Sequence, residues 1–117
     1  MNPVWKIAAL AASAFLAACA TTPAAAPDLA AYRGDARAGH MLANDLCSGC
    51  HDVGRAGPSS ASGAPPFRTL LARYDSTKLA AGLQRGVMMS HPDMPKVFLT
   101  EKSAKDLIAY LETIEEK

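Results

Sequence analysis

Two thiols and an imidazole lie within five consecutive residues, Cys47-Ser48-Gly49-Cys50-His51. Side chains of these types at this spacing can act as metal ligands, as a redox dithiol, as a disulfide or as covalent attachment points for a cofactor. The chain contains 3 cysteines, so a framework of paired disulfides would leave one thiol over. This segment is therefore the strongest candidate for a functional site.

Covalent attachment of haem explains this spacing best. Two thiols three residues apart can each add across one vinyl group of a haem, and the histidine that follows is then placed under the iron as the proximal ligand. A redox dithiol expects a βαβ context that this chain lacks, and a disulfide between Cys47 and Cys50 would close too short a loop to stabilise the fold. A structural zinc site needs four ligands, and only His40 and His91 remain to complete one. We therefore predict one haem c per chain, bound by Cys47, Cys50 and His51.

Four side chains could supply the second axial ligand of the iron: Met88, Met89, His91 and Met94. Met94 lies between two prolines in Pro92-Asp93-Met94-Pro95, which keeps this segment extended and lets a loop carry the thioether across a haem face. Met88 and Met89 are equally suited to filling gaps in a core, and bis-histidine ligation by His91 stays open. We predict Met94, because a methionine and a histidine together can fill both axial positions of a haem iron.

The N-terminus has the pattern of an export signal. Lys6 precedes an uncharged, mostly apolar stretch from residue 7 to residue 18, which is too short to cross a bilayer as a helix. The stretch ends in Leu16-Ala17-Ala18-Cys19, which resembles the lipobox of bacterial lipoproteins, in which the cysteine is lipidated and the chain is cut before it. An ordinary signal peptide or an uncleaved anchor is the alternative. We predict a lipoprotein signal peptide at residues 1–18 and lipidation at Cys19.

The predicted location is the periplasmic side of a Gram-negative membrane, where c-type haem is attached. Residues 19–34 are rich in alanine and proline and predict a flexible tether between the lipid and a domain at residues 35–117. Several acyl chains on one cysteine would anchor the protein stably. Ala20, by resemblance to sorting patterns, favours the outer membrane.

The net charge of +1, spread along the chain, excludes a nucleic-acid binder, which needs a concentrated basic surface.

Four stretches of the domain are predicted to be helices, and none has the alternation of a strand. They cover residues 35–47, 67–74 and 76–85 and the segment after Thr100. Asp35, Ser76 and Thr100 are suited to cap three of these helices, and Gly86 is suited to end the third. The proline- and glycine-rich residues 53–66 and 86–99 predict loops, and residues 115–117 a solvated end. The sequence therefore predicts an all-α fold.

Gly39 lies on the buried stripe of the first predicted helix, which also contains Leu42, Ala43 and Leu46. Glycine inside a helix costs about 1 kcal/mol relative to alanine, so its use here is the close approach of another backbone. The apolar residues of the last helix recur with a period of 3.6, at Ala104, Leu107, Ile108, Leu111 and Ile114.

From Asp35 to the last helix the chain resembles small single-haem c-type cytochromes, the class I cytochrome c family. Gly39 stands eight residues before Cys47, as does a glycine of the first helix in that family. The stretch Asp106-Leu107-Ile108-Ala109-Tyr110-Leu111 is similar to the family's C-terminal helix, whose aromatic side chain packs against that glycine where the two terminal helices cross. The resemblance implies the cytochrome c fold, with about four short helices around one covalently bound haem.

The resemblance also implies how the haem is held. Related cytochromes carry a Met-Pro pair about thirteen residues before the Leu-Ile-Ala-Tyr stretch, which is the separation of Met94 from Leu107. In that family a proline carbonyl accepts the outer N–H of the proximal histidine, and here Pro58 and Pro65 are both candidates. We expect apolar side chains to form the pocket wall, namely Phe67, Leu70, Leu71, Leu83, Val87 and Phe98. His40 is expected at the surface.

An iron with two axial protein ligands has no open position for a substrate, so we expect a one-electron carrier and not an enzyme. Its partners would be redox proteins that dock transiently on a monomer. The alternatives are a haem protein that binds or senses a ligand, and the cytochrome subunit of a larger oxidoreductase.

Overall fold

The computed structural model describes residues 28–86 and 93–117, and this part of the chain is helical without strands. The helices are α1 (Ala36–Leu46), α2 (Leu70–Arg73), α3 (Ser76–Arg85) and α4 (Glu101–Ile114). A 3-10 turn at Phe67–Thr69 leads directly into α2, so the second predicted helix consists of two short pieces. The all-α fold class is confirmed.

Side chains cap the helices largely where the sequence predicts. The Asp35 carboxylate accepts the backbone N–H groups of residues 37 and 38 at the start of α1, and the Thr100 hydroxyl accepts that of residue 103 at the start of α4. Gly86 ends α3 in the left-handed conformation, with φ of 64°. The cap predicted at Ser76 is wrong: Asp75 caps α3 by accepting the N–H of residue 78, and Ser76 is the first helical residue.

The terminal helices α1 and α4 cross at Gly39. A Cβ atom built there would overlap the carbonyl oxygen of Asp106 and lie 2.8 Å from Tyr110 Cβ. Both atoms belong to α4, so only glycine permits this separation of the two helices. The close approach expected at Gly39, against the aromatic residue of the last helix, is confirmed.

The core lies between α4 and the other elements. Its buried apolar side chains come from every helix and from the loop after α1: Ala43, Val53, Phe67, Leu70, Leu79, Leu83, Leu107, Tyr110, Leu111 and Ile114. The Tyr110 hydroxyl donates to the carbonyl of Val53 at 2.6 Å, so α4 is also tied to the loop that follows α1. This packing places the end of α1 beside the C-terminal helix.

Residues 28–34 lie against α4. The Lys105 ammonium donates to the carbonyl of Leu29, and Gly34, with φ of 92°, passes directly over the Lys105 carbonyl. These residues belong to the segment that we expected to be a tether from residue 19 to residue 34. The packed structure thus includes residues before Asp35.

Asp106 holds this N-terminal segment and α1 to α4. One carboxylate oxygen accepts the Tyr32 hydroxyl at 2.5 Å and the Asp35 N–H at 2.8 Å, and the other accepts the Lys102 ammonium at 2.7 Å. Burial by itself would raise the pKa of Asp106, but hydrogen bonds from Lys102, Tyr32 and Asp35 outweigh it and hold the pKa below its ordinary value. Asp106 is therefore a buried anion that is held by Tyr32 and Asp35 from the N-terminal side and by Lys102 of its own helix.

None of the helices within the described residues is both long enough and apolar enough to cross a membrane. The predicted signal peptide at residues 1–18 and the predicted lipidation site, Cys19, lie outside the described residues.

Candidate functional site

A cavity of about 530 Å³ lies at the C-terminal end of α1, against α4. This volume is within the range typical of sites for small molecules and cofactors. Most of its lining is apolar and comes from all four helices and from the segments before α2 and α4: Leu42, Leu46, Phe67, Leu70, Leu79, Leu83, Val97, Leu99, Leu107 and Leu111. The cavity therefore suits a largely apolar ligand.

Cys47, Cys50 and His51 all line this cavity. Cys47 follows the last residue of α1, and its carbonyl accepts the N–H groups of Cys50 at 3.2 Å and His51 at 2.9 Å. This turn brings both thiols and the imidazole to one wall. Burial raises the pKa of the Cys47 thiol, whereas Cys50 is exposed, and the two are not joined by a disulfide.

The His51 ring is fixed by Pro65, because Nδ1 lies 2.8 Å from the Pro65 carbonyl oxygen. A carbonyl can only accept, so in the neutral ring the proton is on Nδ1 and the lone pair is on Nε2. This leaves Nε2 able to bind a metal, with the ring orientation set by the bond at the other nitrogen. Of the two candidate prolines, Pro65 makes this contact and Pro58 is exposed.

The loop of residues 53–66 folds back over the Cys47–His51 segment. The carbonyl of Cys50 accepts the N–H of Ala61 at 3.0 Å, and that of Gly49 accepts the Ser60 hydroxyl at 2.8 Å. These bonds hold the loop across the motif and bring Pro65 to the imidazole.

Met94 is half-buried and lines the same cavity, between Asp93 and Pro95. The structure thus brings together all four predicted haem-binding residues, although Met94 is 43 positions after His51 in the sequence. The other candidates for the second axial ligand, Met88, Met89 and His91, lie outside the described residues.

The predicted pocket wall is partly correct. Phe67, Leu70 and Leu83 line the cavity, Leu71 packs against the core without lining it, and Val87 lies outside the described residues. The prediction that Phe98 forms part of the wall is wrong, because its side chain is 69% exposed and its ring lies over Gly86.

The residues on either side of Phe98 form the wall in its place. Val97 and Leu99 line the cavity, since successive side chains of an extended segment point to opposite sides. That alternation was the available signal for these two residues. Arg73 and Tyr74 also line the cavity. The sequence analysis did not predict them, because a helix as short as α2 has no periodic pattern that shows which of its residues face a cavity.

The described residues offer no competing metal site. His40 is exposed, with Nε2 3.1 Å from Asn44 Nδ2 and its ring 4.8 Å from that of Tyr110. Within residues 28–86 and 93–117 no three His, Cys, Asp or Glu side chains are grouped so as to hold a metal ion. This part of the chain therefore gives no support to a structural zinc site.

Comparison with known proteins agrees with the geometry. The family model for Cytochrome c matches residues 36–115, from the first residue of α1 to the residue after α4. A search of curated proteins found no match. Members of this family bind covalently attached haem c, typically one per domain, and are in general electron-transfer proteins and not enzymes. The chain belongs to the cytochrome c family as a class I c-type cytochrome, a haem-binding electron carrier.

Proposed function

We propose that this protein is a lipid-anchored one-electron carrier on the periplasmic side of a Gram-negative membrane, with His51 and Met94 as axial ligands of its haem. One observation carries the redox part of the proposal. The two thiols, an imidazole whose Nε2 is free and a thioether all line one apolar cavity.

The residues present fit haem c. Cys47 and Cys50 would hold the group through two thioethers, His51 would bind the iron through Nε2, and Met94 through its sulfur. Haem c supplies one-electron oxidation and reduction at its iron. The Pro65 carbonyl fixes the plane of the His51 ring and increases its basicity.

The number of axial positions that the protein fills determines whether the haem iron can bind a substrate. If His51 and Met94 both bind the iron, no coordination position would be open to a substrate or a gaseous ligand. The mostly apolar lining would limit the access of water to the haem and thereby favour the reduced, less charged form of the site. The natural function is electron exchange with redox proteins that dock briefly on the monomer, over an interface below about 1,200 Å².

The optical spectrum of the oxidised holoprotein tests the axial ligands. We expect a low-spin spectrum with the weak far-red band of a sulfur–iron bond, and we expect Met94→Ala to abolish that band. Met41→Ala is the matched control, because Met41 is 58% exposed and does not line the cavity. A high-spin ferric spectrum in the wild type would contradict the proposal and favour a ligand-binding or sensor protein. A band that survives Met94→Ala would assign the sulfur to another methionine.

The membrane anchor rests on the residues before the domain. Leu16-Ala17-Ala18-Cys19 matches a lipobox, and an anchored carrier would meet membrane-bound partners at raised effective concentration. Ala20 supports the outer membrane as the destination. We expect the full chain to incorporate labelled fatty acid and to fractionate with the outer membrane, and Cys19→Ser to lose the label. Label retained by Cys19→Ser would refute lipidation at this residue.

A further inference from the structure

Arg68 links the residue after His51 to the C-terminal end of the chain. Its Nη1 donates to Asp52 Oδ2 at 2.5 Å and its Nε donates to Glu116 Oε1 at 2.5 Å. The Arg68 and Asp52 side chains are only 15% and 17% exposed, whereas that of Glu116 is largely exposed. Residues 115–117 are exposed, as the sequence predicts, but the Glu116 carboxylate is in addition paired with Arg68.

Backbone hydrogen bonds join the same three segments. The Phe67 N–H donates to the Asp52 carbonyl at 2.8 Å, and the Glu116 N–H donates to the Arg68 carbonyl at 3.0 Å. Residues 67–68 are thus held between Asp52 on one side and the C-terminal tail on the other. No other element holds the Arg68 side chain among the described contacts.

These contacts close a ring of interactions around the proximal histidine. His51 is bonded to the Pro65 carbonyl, Pro65 is two residues before Phe67, and Phe67 and Arg68 are bonded to Asp52, which follows His51 in the chain. The Phe67 ring also lies 5.3 Å from the His51 ring, centre to centre. The distance between residues 51–52 and residues 65–68 therefore determines where the carbonyl acceptor stands relative to Nδ1.

Arginine is the side chain that can make this link. Its planar guanidinium presents several N–H donors in a fixed fork, so it can hold two carboxylates in different directions at once. A lysine keeps the charge but presents it at a single point. Removal of the guanidinium would leave the poorly exposed Asp52 carboxylate without its partner, which is costly.

We propose that Arg68 is a positioning residue for the proximal haem ligand: by bridging Asp52 and Glu116 it sets the geometry of the His51–Pro65 hydrogen bond. This inference rests on the proposed role of His51 as an axial ligand. Through Arg68, the C-terminal tail would influence the reduction potential of a haem site that the tail does not contact.

The test compares Arg68→Met with Arg68→Lys and Glu116→Gln in the covalently loaded protein. We expect Arg68→Met to move the hyperfine-shifted ring-proton resonances of His51 in the oxidised form. We also expect it to lower the reduction potential, because the loss of a positive charge beside an unpaired carboxylate favours the ferric state. Arg68→Lys should restore the charge while leaving the His51 resonances displaced, and Glu116→Gln should move them less than Arg68→Met. Arg55→Met is the matched control, because Arg55 is an exposed arginine in the loop of residues 53–66.

Each outcome decides the inference. If Arg68→Met lowers the melting temperature while the His51 resonances and the potential match those of Arg55→Met, Arg68 is only structural and the inference is refuted. If Arg68→Met does not yield protein with covalently bound haem, Glu116→Gln removes the charge from one of the two partners of Arg68. The His51 resonances and the reduction potential of Glu116→Gln, compared with those of Arg55→Met, then decide. Absence of hyperfine-shifted imidazole resonances in the wild type would instead refute the axial role of His51, which is a failure of the proposed function.

Discussion

Gly39→Ala is the substitution that most directly tests the crossing of α1 and α4. The new methyl group would overlap the Asp106 carbonyl oxygen and lie 2.8 Å from Tyr110 Cβ. Neither of these atoms is the movable end of a side chain, so the strain can be relieved only by moving the helices apart. The same displacement would loosen the wall of the cavity, because Leu107 and Leu111 of α4 line it.

The expected loss follows from two opposing effects. Overpacking of a well-packed contact costs about 1–3 kcal/mol, and backbone overlap puts Gly39→Ala at the upper end of that range. Replacing glycine by alanine inside a helix returns about 1 kcal/mol. The net loss is then about 2 kcal/mol, which in a domain of this size lowers the melting temperature by roughly 8–16 °C.

Thermal unfolding of the holoprotein, followed by circular dichroism, measures this loss. Gly54→Ala is the control, because a Cβ at Gly54 would meet only Asp52 Oδ1, at an ordinary contact distance of 3.7 Å. We expect Gly54→Ala to unfold close to the wild type, and Gly39→Val to lose more stability than Gly39→Ala and to retain less haem. A melting temperature of Gly39→Ala within about 2 °C of the wild type would refute the close helix crossing, since that is well under 1 kcal/mol.

Three further outcomes follow from contacts described above. The lowered pKa of Asp106 stabilises the folded state above the ordinary carboxyl pKa of about 4, and this contribution is lost as the pH falls through the folded-state pKa. Asp106→Asn should therefore be less stable at pH 7 and show a shallower loss on acid titration followed by circular dichroism; parallel titration curves would contradict this. Tyr32→Phe should cost about 1 kcal/mol and speed proteolysis before α1, and unchanged cleavage there would count against the packing of residues 28–34 on α4. Phe98→Ser should keep the haem content and spectrum of the wild type while Leu70→Ser loses both, and equal losses would place Phe98 in the pocket after all.

Local patterns predicted most of the helical framework. Asp35 and Thr100 cap helices because their side chains reach backbone N–H groups two or three residues away, and Gly86 ends α3 for an equally local reason. The one wrong cap shows the limit of this reasoning. Asp75 and Ser76 are adjacent, and both residue types are good N-caps. Which of them caps α3 therefore depends on the path of the chain between α2 and α3.

That Cys47, Cys50 and His51 share one cavity wall could be predicted, because the three lie within five consecutive residues. What could not be predicted depends on contacts between distant segments. Arg68 meets Glu116 across 48 residues of sequence, and Tyr32 meets Asp106 across 74, so neither pair leaves a periodic or local signal. The choice of Pro65 over Pro58 likewise depends on how the loop folds back, which its proline and glycine content leaves open.

The packing of residues 28–34 on α4 limits how far the domain can stand from a membrane. If Cys19 carries lipid, as proposed, only the nine residues 19–27 separate the lipid from the first described residue. Even fully extended, at about 3.3–3.6 Å per residue, they span only roughly 30 Å. This height is about the thickness of the hydrocarbon core of one bilayer. A carrier anchored in this way would exchange electrons within a thin layer at the membrane surface and would not reach a partner on the opposite membrane.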